Sequence, residues 1–136
     1  MIIPKRTYIS VPMTLKNNGW NILFDDIRWF GKYEIGNTKV FDAATDFKEN
    51  MNNDYSDDAI VCVSFQQKKR LSLGRGGVIL FNDGSYEKML KRLRHDGRNH
   101  YVSDRDEMRD NPDDIICGYH CYMEPDKAAE GVLKMN

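Results

Sequence analysis

Two adjacent lysines stand in the stretch Ser64-Phe65-Gln66-Gln67-Lys68-Lys69-Arg70-Leu71-Ser72-Leu73-Gly74-Arg75-Gly76-Gly77, between the apolar runs Ala59–Val63 and Val78–Phe81. Both runs are short, continuous and rich in β-branched residues, as buried strands are. An amine therefore sits just beyond a strand end, among small and hydroxyl residues. A nucleophilic amine needs such a place: backbone close by, partial desolvation, and donors for an anionic ligand. The competing reading is a basic hairpin loop in solvent, and spacing alone favours it. Asp42 is a second residue fit for chemistry, since it follows the brief expected strand Lys39-Val40-Phe41 and precedes two alanines. An aspartate there also serves as an ordinary turn cap.

Strands alternating with helices are the elements expected to position these groups. Thr7–Val11 has strand composition, limited by Pro12; Met13–Asn18 suits a short helix closed by Gly19; Trp20–Phe24 is a second strand. Strand, helix, strand is a crossover unit, which implies parallel pairing and ligands beyond the strand C-terminal ends. Gly31 and Gly36 punctuate a turn-rich link, and Lys48–Asp58 reads as an exposed loop. Strands are expected at Lys39–Phe41, Ala59–Phe65 and Gly77–Phe81, then a helix at Tyr86–Arg94 after a cap in Asn82–Ser85. Gly97–Asp114 is a long charged loop, and Glu124–Lys134 a helix with Pro125 in its first turn.

Ser64-Phe65-x-x-x-Lys69, then Gly74-x-Gly76-Gly77 and an apolar strand ending in Asn82-Asp83, resembles the lysine segment of the DegT/DnrJ/EryC1/StrS aminotransferases, fold-type I enzymes that use pyridoxal phosphate (PLP). In that register Lys69 is the Schiff-base lysine, and Lys68 stands where the family often has threonine. Val40-Phe41-Asp42-Ala43-Ala44 resembles the family's Asp-Ala-Ala-Gln segment, which implies an ion pair from Asp42 to the pyridinium nitrogen. Thr45 replaces the glutamine that lies against the ring. Tyr8 falls at the aromatic that stacks on the other ring face, although one aromatic in a strand is more often core, and Ser64 at the serine that donates to the phosphate. The glycines match a turn passing close to the lysine. Gly118-Tyr119-His120-Cys121-Tyr122-Met123 resembles a Gly-Tyr-Asn-x-Arg-Met segment, with His120 in place of an asparagine that reaches the phosphate of a neighbouring subunit.

The resemblance implies a truncated three-layer α/β/α large domain with a mostly parallel sheet over residues 1–136, lacking the family's N-terminal segment and its small domain. Such a chain is expected to self-associate or to need a complementing chain, because a sheet without its outer elements leaves edges and apolar faces bare. The implied reaction moves an amino group, typically from glutamate, to a keto sugar on a nucleotide. The alternative is an interaction protein that retains the scaffold without the cofactor. An unrelated small α/β binding domain would require the ordered motifs to be coincidence.

Composition is compatible with one domain. Charged residues make up 30% and nearly cancel, to a net charge of −1, so neither a nucleic-acid nor a membrane-surface partner is indicated. The basic face of the Tyr86–Arg94 helix, without an aromatic platform, reads as a solvated surface. No apolar run approaches the roughly 20 residues of a membrane span, and the first residues lack a signal-peptide layout, so a cytoplasmic location is expected. Cys62, Cys117 and Cys121 lack paired ligand spacing. Cys62 reads as a small core residue; Cys117 and Cys121, with His120 and His95, read as reduced thiols in preference to a metal site.

Overall fold

The chain opens with two short strands in parallel, β1 (Ile2–Pro4) and β2 (Leu23–Asp25), with Ile3 opposite Phe24, connected through helix α1 (Ser10–Asn17). The computed structural model describes residues 1–99 and 116–135. The crossover unit is as expected, but its first strand lies earlier. Thr7–Val11 is not a strand: Ser10 and Val11 begin α1, with Pro12 in the first turn, where a missing N–H costs no helical hydrogen bond. Packing thus overrides the β-branched composition. The helix closes as expected at Gly19 (φ 82°), where the Gly19 N–H donates to Lys16 O and the Trp20 N–H to Leu15 O, a Schellman closure.

A second sheet runs β3 (Tyr33–Glu34), β4 (Val40–Asp42), β5 (Ile60–Ser64), β6 (Gly77–Phe81). The parallel pairing expected of the family holds between β4 and β5, and β3 and β6 flank them antiparallel. Alternation along β5 buries Val61 and Val63 on one face and presents Cys62 and Ser64 on the other. The register sets Asp42 beside Cys62 and Ser64 beside Gly77.

The basic loop after β5 is no solvated hairpin tip. Leu71 and Leu73 are buried, the Leu73 N–H donates to Phe65 O at 2.9 Å, and the Phe65 N–H donates to Gly76 O at 2.9 Å. Lys48–Asp58, expected as an exposed loop, contains a 3₁₀ turn (Met51–Asp54) whose Met51 is buried, followed by Tyr55 with its ring edge-on to Phe41.

Residues Met1–Asn82 form one compact unit and Asp83–Asn136 another. The second contains α2 (Ser85–Arg94) and α3 (Pro125–Met135), both near their expected bounds. The Ser85 N–H is bound by Asp83 Oδ1 at 2.8 Å, which makes Asp83 the side chain that starts α2. Beyond Asn99 the expected long loop lies outside the described residues. No helix among the described residues is long and apolar enough to cross a membrane.

Candidate active site

The C-terminal ends of β4 and β5, the lysine loop and the start of α1 enclose a cavity of about 320 Å³. That volume lies in the range of small-molecule sites, roughly 300–1,000 Å³. Tyr8, Asp42, Ser64 and Lys69 all line it. These four residues are spread from Tyr8 to Lys69, and each arrives by a different element. Asp42 ends β4 and Ser64 ends β5; Tyr8 sits just before α1, not in a strand, and is 66% exposed; Lys69 belongs to the loop. Val11, Leu15 and Val63 supply apolar wall.

Burial separates the two lysines. Lys69 is half-buried, while Lys68 and Arg70 are exposed. A turn closed by the Lys69 N–H on Gln66 O (3.0 Å) carries the side chain over the cavity. Among the described residues the Lys69 amine has no hydrogen bond or ion pair. A lysine placed in a cavity without a carboxylate clamp is available for a ligand.

Asp42 is held from two sides. Its Oδ1 accepts from the Ala44 N–H and its Oδ2 from the Tyr33 hydroxyl, each at 3.0 Å. The Tyr33 oxygen lies 2.5 Å from Thr7 Oγ1, and its ring packs against Trp29 at 5.0 Å. Burial, with the Asp42 charge nearby, pushes the Tyr33 phenol well above its usual range. Tyr33 and Thr7 escaped sequence reasoning because β3 has only two residues and its surroundings carry no periodic pattern.

Cys62 also lines the cavity, beside Asp42. Burial, then the Asp42 charge, pushes its thiol up. Cys117 and Cys121 are free and exposed. A maleimide at pH 7 is therefore expected to label Cys117 and Cys121 promptly and Cys62 much more slowly, as peptide mapping will show; labelling of Cys62 as fast as that of Cys117 and Cys121 contradicts this placement.

One expected residue, Thr45, does not line the cavity, and His120 is expected there only from a neighbouring subunit. Thr45 is exposed and its hydroxyl donates to Gly31 O at 3.0 Å, outside the cavity lining. His120 lies in the second unit, where its Nδ1 is 3.1 Å from Asp96 Oδ2 and its ring stands edge-on to Tyr122 at 4.2 Å. The hydrogen bond from His120, with the charges of His120 and Arg98, holds the Asp96 carboxyl below the usual carboxylate range.

The glycines do a different job from the one expected. Gly74 (φ 84°) and Gly76 (φ 87°) take left-handed backbone, and a Cβ on Gly77 would stand 2.3 Å from Val63 O. They serve the turn and the approach of β6 to β5, not clearance around the lysine.

Residues 40–136 match the DegT/DnrJ/EryC1/StrS aminotransferase family. A crystal structure from Bacillus cereus ATCC 10987, of a protein assigned as a PLP-dependent aminotransferase, is similar to 98% of this chain with a TM-score of 0.55 and 17% identity. At that identity the likeness is one of fold. The chain spans 31% of the length of that structure. No curated protein matches the sequence.

Proposed function

Because this chain belongs to the DegT/DnrJ/EryC1/StrS aminotransferase family, we propose that its cavity is the PLP site of an aminotransferase acting on nucleotide-linked keto sugars, with glutamate as amino donor. One observation carries the reading: Tyr8, Asp42, Ser64 and Lys69 line a single cavity. The residues fit the group, since PLP needs an amine, an anion for its ring nitrogen and donors for its phosphate. When bound, PLP supplies an electron sink for the bonds at the substrate's reacting carbon.

The chain's own residues divide the remaining work. Lys69 holds the cofactor and moves the proton at the reacting carbon; its half-burial and lack of an ion partner suit an amine that shuttles. Asp42 neutralises and orients the protonated ring nitrogen. Ser64 donates to the phosphate, and Tyr8 covers a ring face. His120, supplied by a neighbouring copy, is a further phosphate donor.

Visible absorbance tests this directly. PLP added to the protein is expected to give a violet band that borohydride abolishes, leaving a covalent label on Lys69. A second reading, a scaffold without cofactor, draws on Thr45 turning away from the cavity. Absence of both band and label would favour it.

Residues 1–136 are read as part of a large domain, completed by further polypeptide or by a second copy, in the cytoplasm. Apolar exposure supports this: Leu23 and Phe24 on opposite faces of β2 are 66% and 53% exposed, and Phe30 is 96% exposed. Light scattering at micromolar concentration is expected to give a mass of at least twice 15.9 kDa. A monodisperse monomer would count against self-association.

A further inference from the structure

We propose that Tyr33, oriented by Thr7, is a positioning residue that aims the Asp42 carboxylate at the cofactor's ring nitrogen; the inference rests on the role given to Asp42 above. Tyr33 and Asp42 are direct cross-strand partners, the only antiparallel register pair of β3 and β4 that includes Asp42. Tyr33 itself is 5% exposed and is not part of the cavity wall, so it acts through Asp42 and touches no ligand.

The polarity of the hydrogen bonds follows from counting protons. An ionised carboxylate only accepts, so at Asp42 Oδ2 the Tyr33 hydroxyl is the donor. That uses the one phenolic proton. At the 2.5 Å contact the Thr7 hydroxyl therefore donates to the Tyr33 oxygen. Charge runs inward along the series: Thr7 to Tyr33, Tyr33 to Asp42. Each step strengthens the next, because a hydroxyl whose oxygen accepts a hydrogen bond has its own O–H further polarised and donates more strongly.

Two donors on two different oxygens, the Ala44 N–H on Oδ1 and Tyr33 on Oδ2, fix the plane of the carboxylate and leave its other lone pairs facing the cavity. The Tyr33 ring does not depend on Asp42 for its own place, since Trp29 packs on it and the Trp29 Nε1 is anchored to Arg6 O at 2.9 Å. A pre-positioned anion meets a ring nitrogen without reorganisation, which is where such a group is most effective. The raised range of the phenol keeps it a donor wherever the protein is folded at ordinary pH.

The test separates positioning from mere packing. PLP and its 1-deaza analogue, in which carbon replaces the ring nitrogen, are titrated into the full chain, with binding read from tryptophan fluorescence. The wild type is expected to prefer PLP by about tenfold, the size of one hydrogen bond to a charged group. Tyr33→Phe should bring that preference within about twofold while leaving affinity for the analogue unchanged. Thr7→Val should reduce it part of the way and Thr7→Ser restore it; should Tyr33→Phe fail to fold, the Thr7 pair decides alone. A preference that stays near tenfold in the folded variants overturns the role of Tyr33 and leaves that of Asp42 standing. A wild type that does not distinguish the two compounds, or binds neither, overturns the Asp42 reading and this inference with it.

Discussion

Lys69→Ala is expected to abolish covalent attachment of PLP, whereas Lys68→Ala should leave it intact. The two side chains are neighbours in sequence and identical in chemistry, so their surroundings must account for the difference. Lys69 is half-buried on the cavity wall and its amine meets no carboxylate among the described residues; Lys68 is exposed. An exposed ammonium is well hydrated and holds no fixed geometry toward a ligand. Borohydride trapping followed by peptide mapping checks the site of the label. Any transaminase activity of the completed assembly should fall by about 10²–10⁴-fold or more in Lys69→Ala, since both attachment and proton transfer are lost. A label that persists in Lys69→Ala, or that maps to Lys68, would sink the assignment.

Gly77→Ala is expected to cost much of the stability of the sheet. The new Cβ would lie 2.3 Å from Val63 O and 3.5 Å from Ser64 Cα, so the clash is with backbone, which has no rotamer to yield. Either β6 leaves its register or β5 bends, at a cost of about 2–4 kcal/mol. A fall in Tm of roughly 10 °C follows for a domain of this size. The same shift reaches the site, because Gly77 pairs with Ser64 and Ser64 lines the cavity. Thermal unfolding measures the first effect and PLP titration the second. Gly74→Ala makes a useful contrast: nothing lies within 4 Å of its Cβ, and its penalty comes from left-handed backbone alone, about 1 kcal/mol. A Gly77→Ala protein as stable as the wild type would contradict the close approach of the strands.

Long apolar runs were legible in the sequence and short elements were not. Ile60–Ser64 and Gly77–Phe81 fall inside the expected strands, and α2 and α3 begin and end within a residue or two of expectation, because capping groups and apolar spacing act locally. The first strand was misplaced by its composition. Thr7–Val11 carries the residues that favour strands, yet the parallel partner of β2 is Ile2–Pro4, since pairing and burial of Ile3 decide which segment joins the sheet. The lysine loop was ambiguous on its charges, and only the burial of Leu71 and Leu73 distinguishes it from a solvated turn.

The order of motifs, the likeness to a family and the residue types capable of binding PLP were determined by the sequence alone, since those depend on identity and spacing along the chain. That Thr45 turns to Gly31 while Tyr33 reaches Asp42, and that Tyr8 stands at an exposed rim, were decided by tertiary structure. The physical reason is that a side chain's partners across a sheet or a loop are set by register and packing between segments distant in sequence, and no local pattern records them.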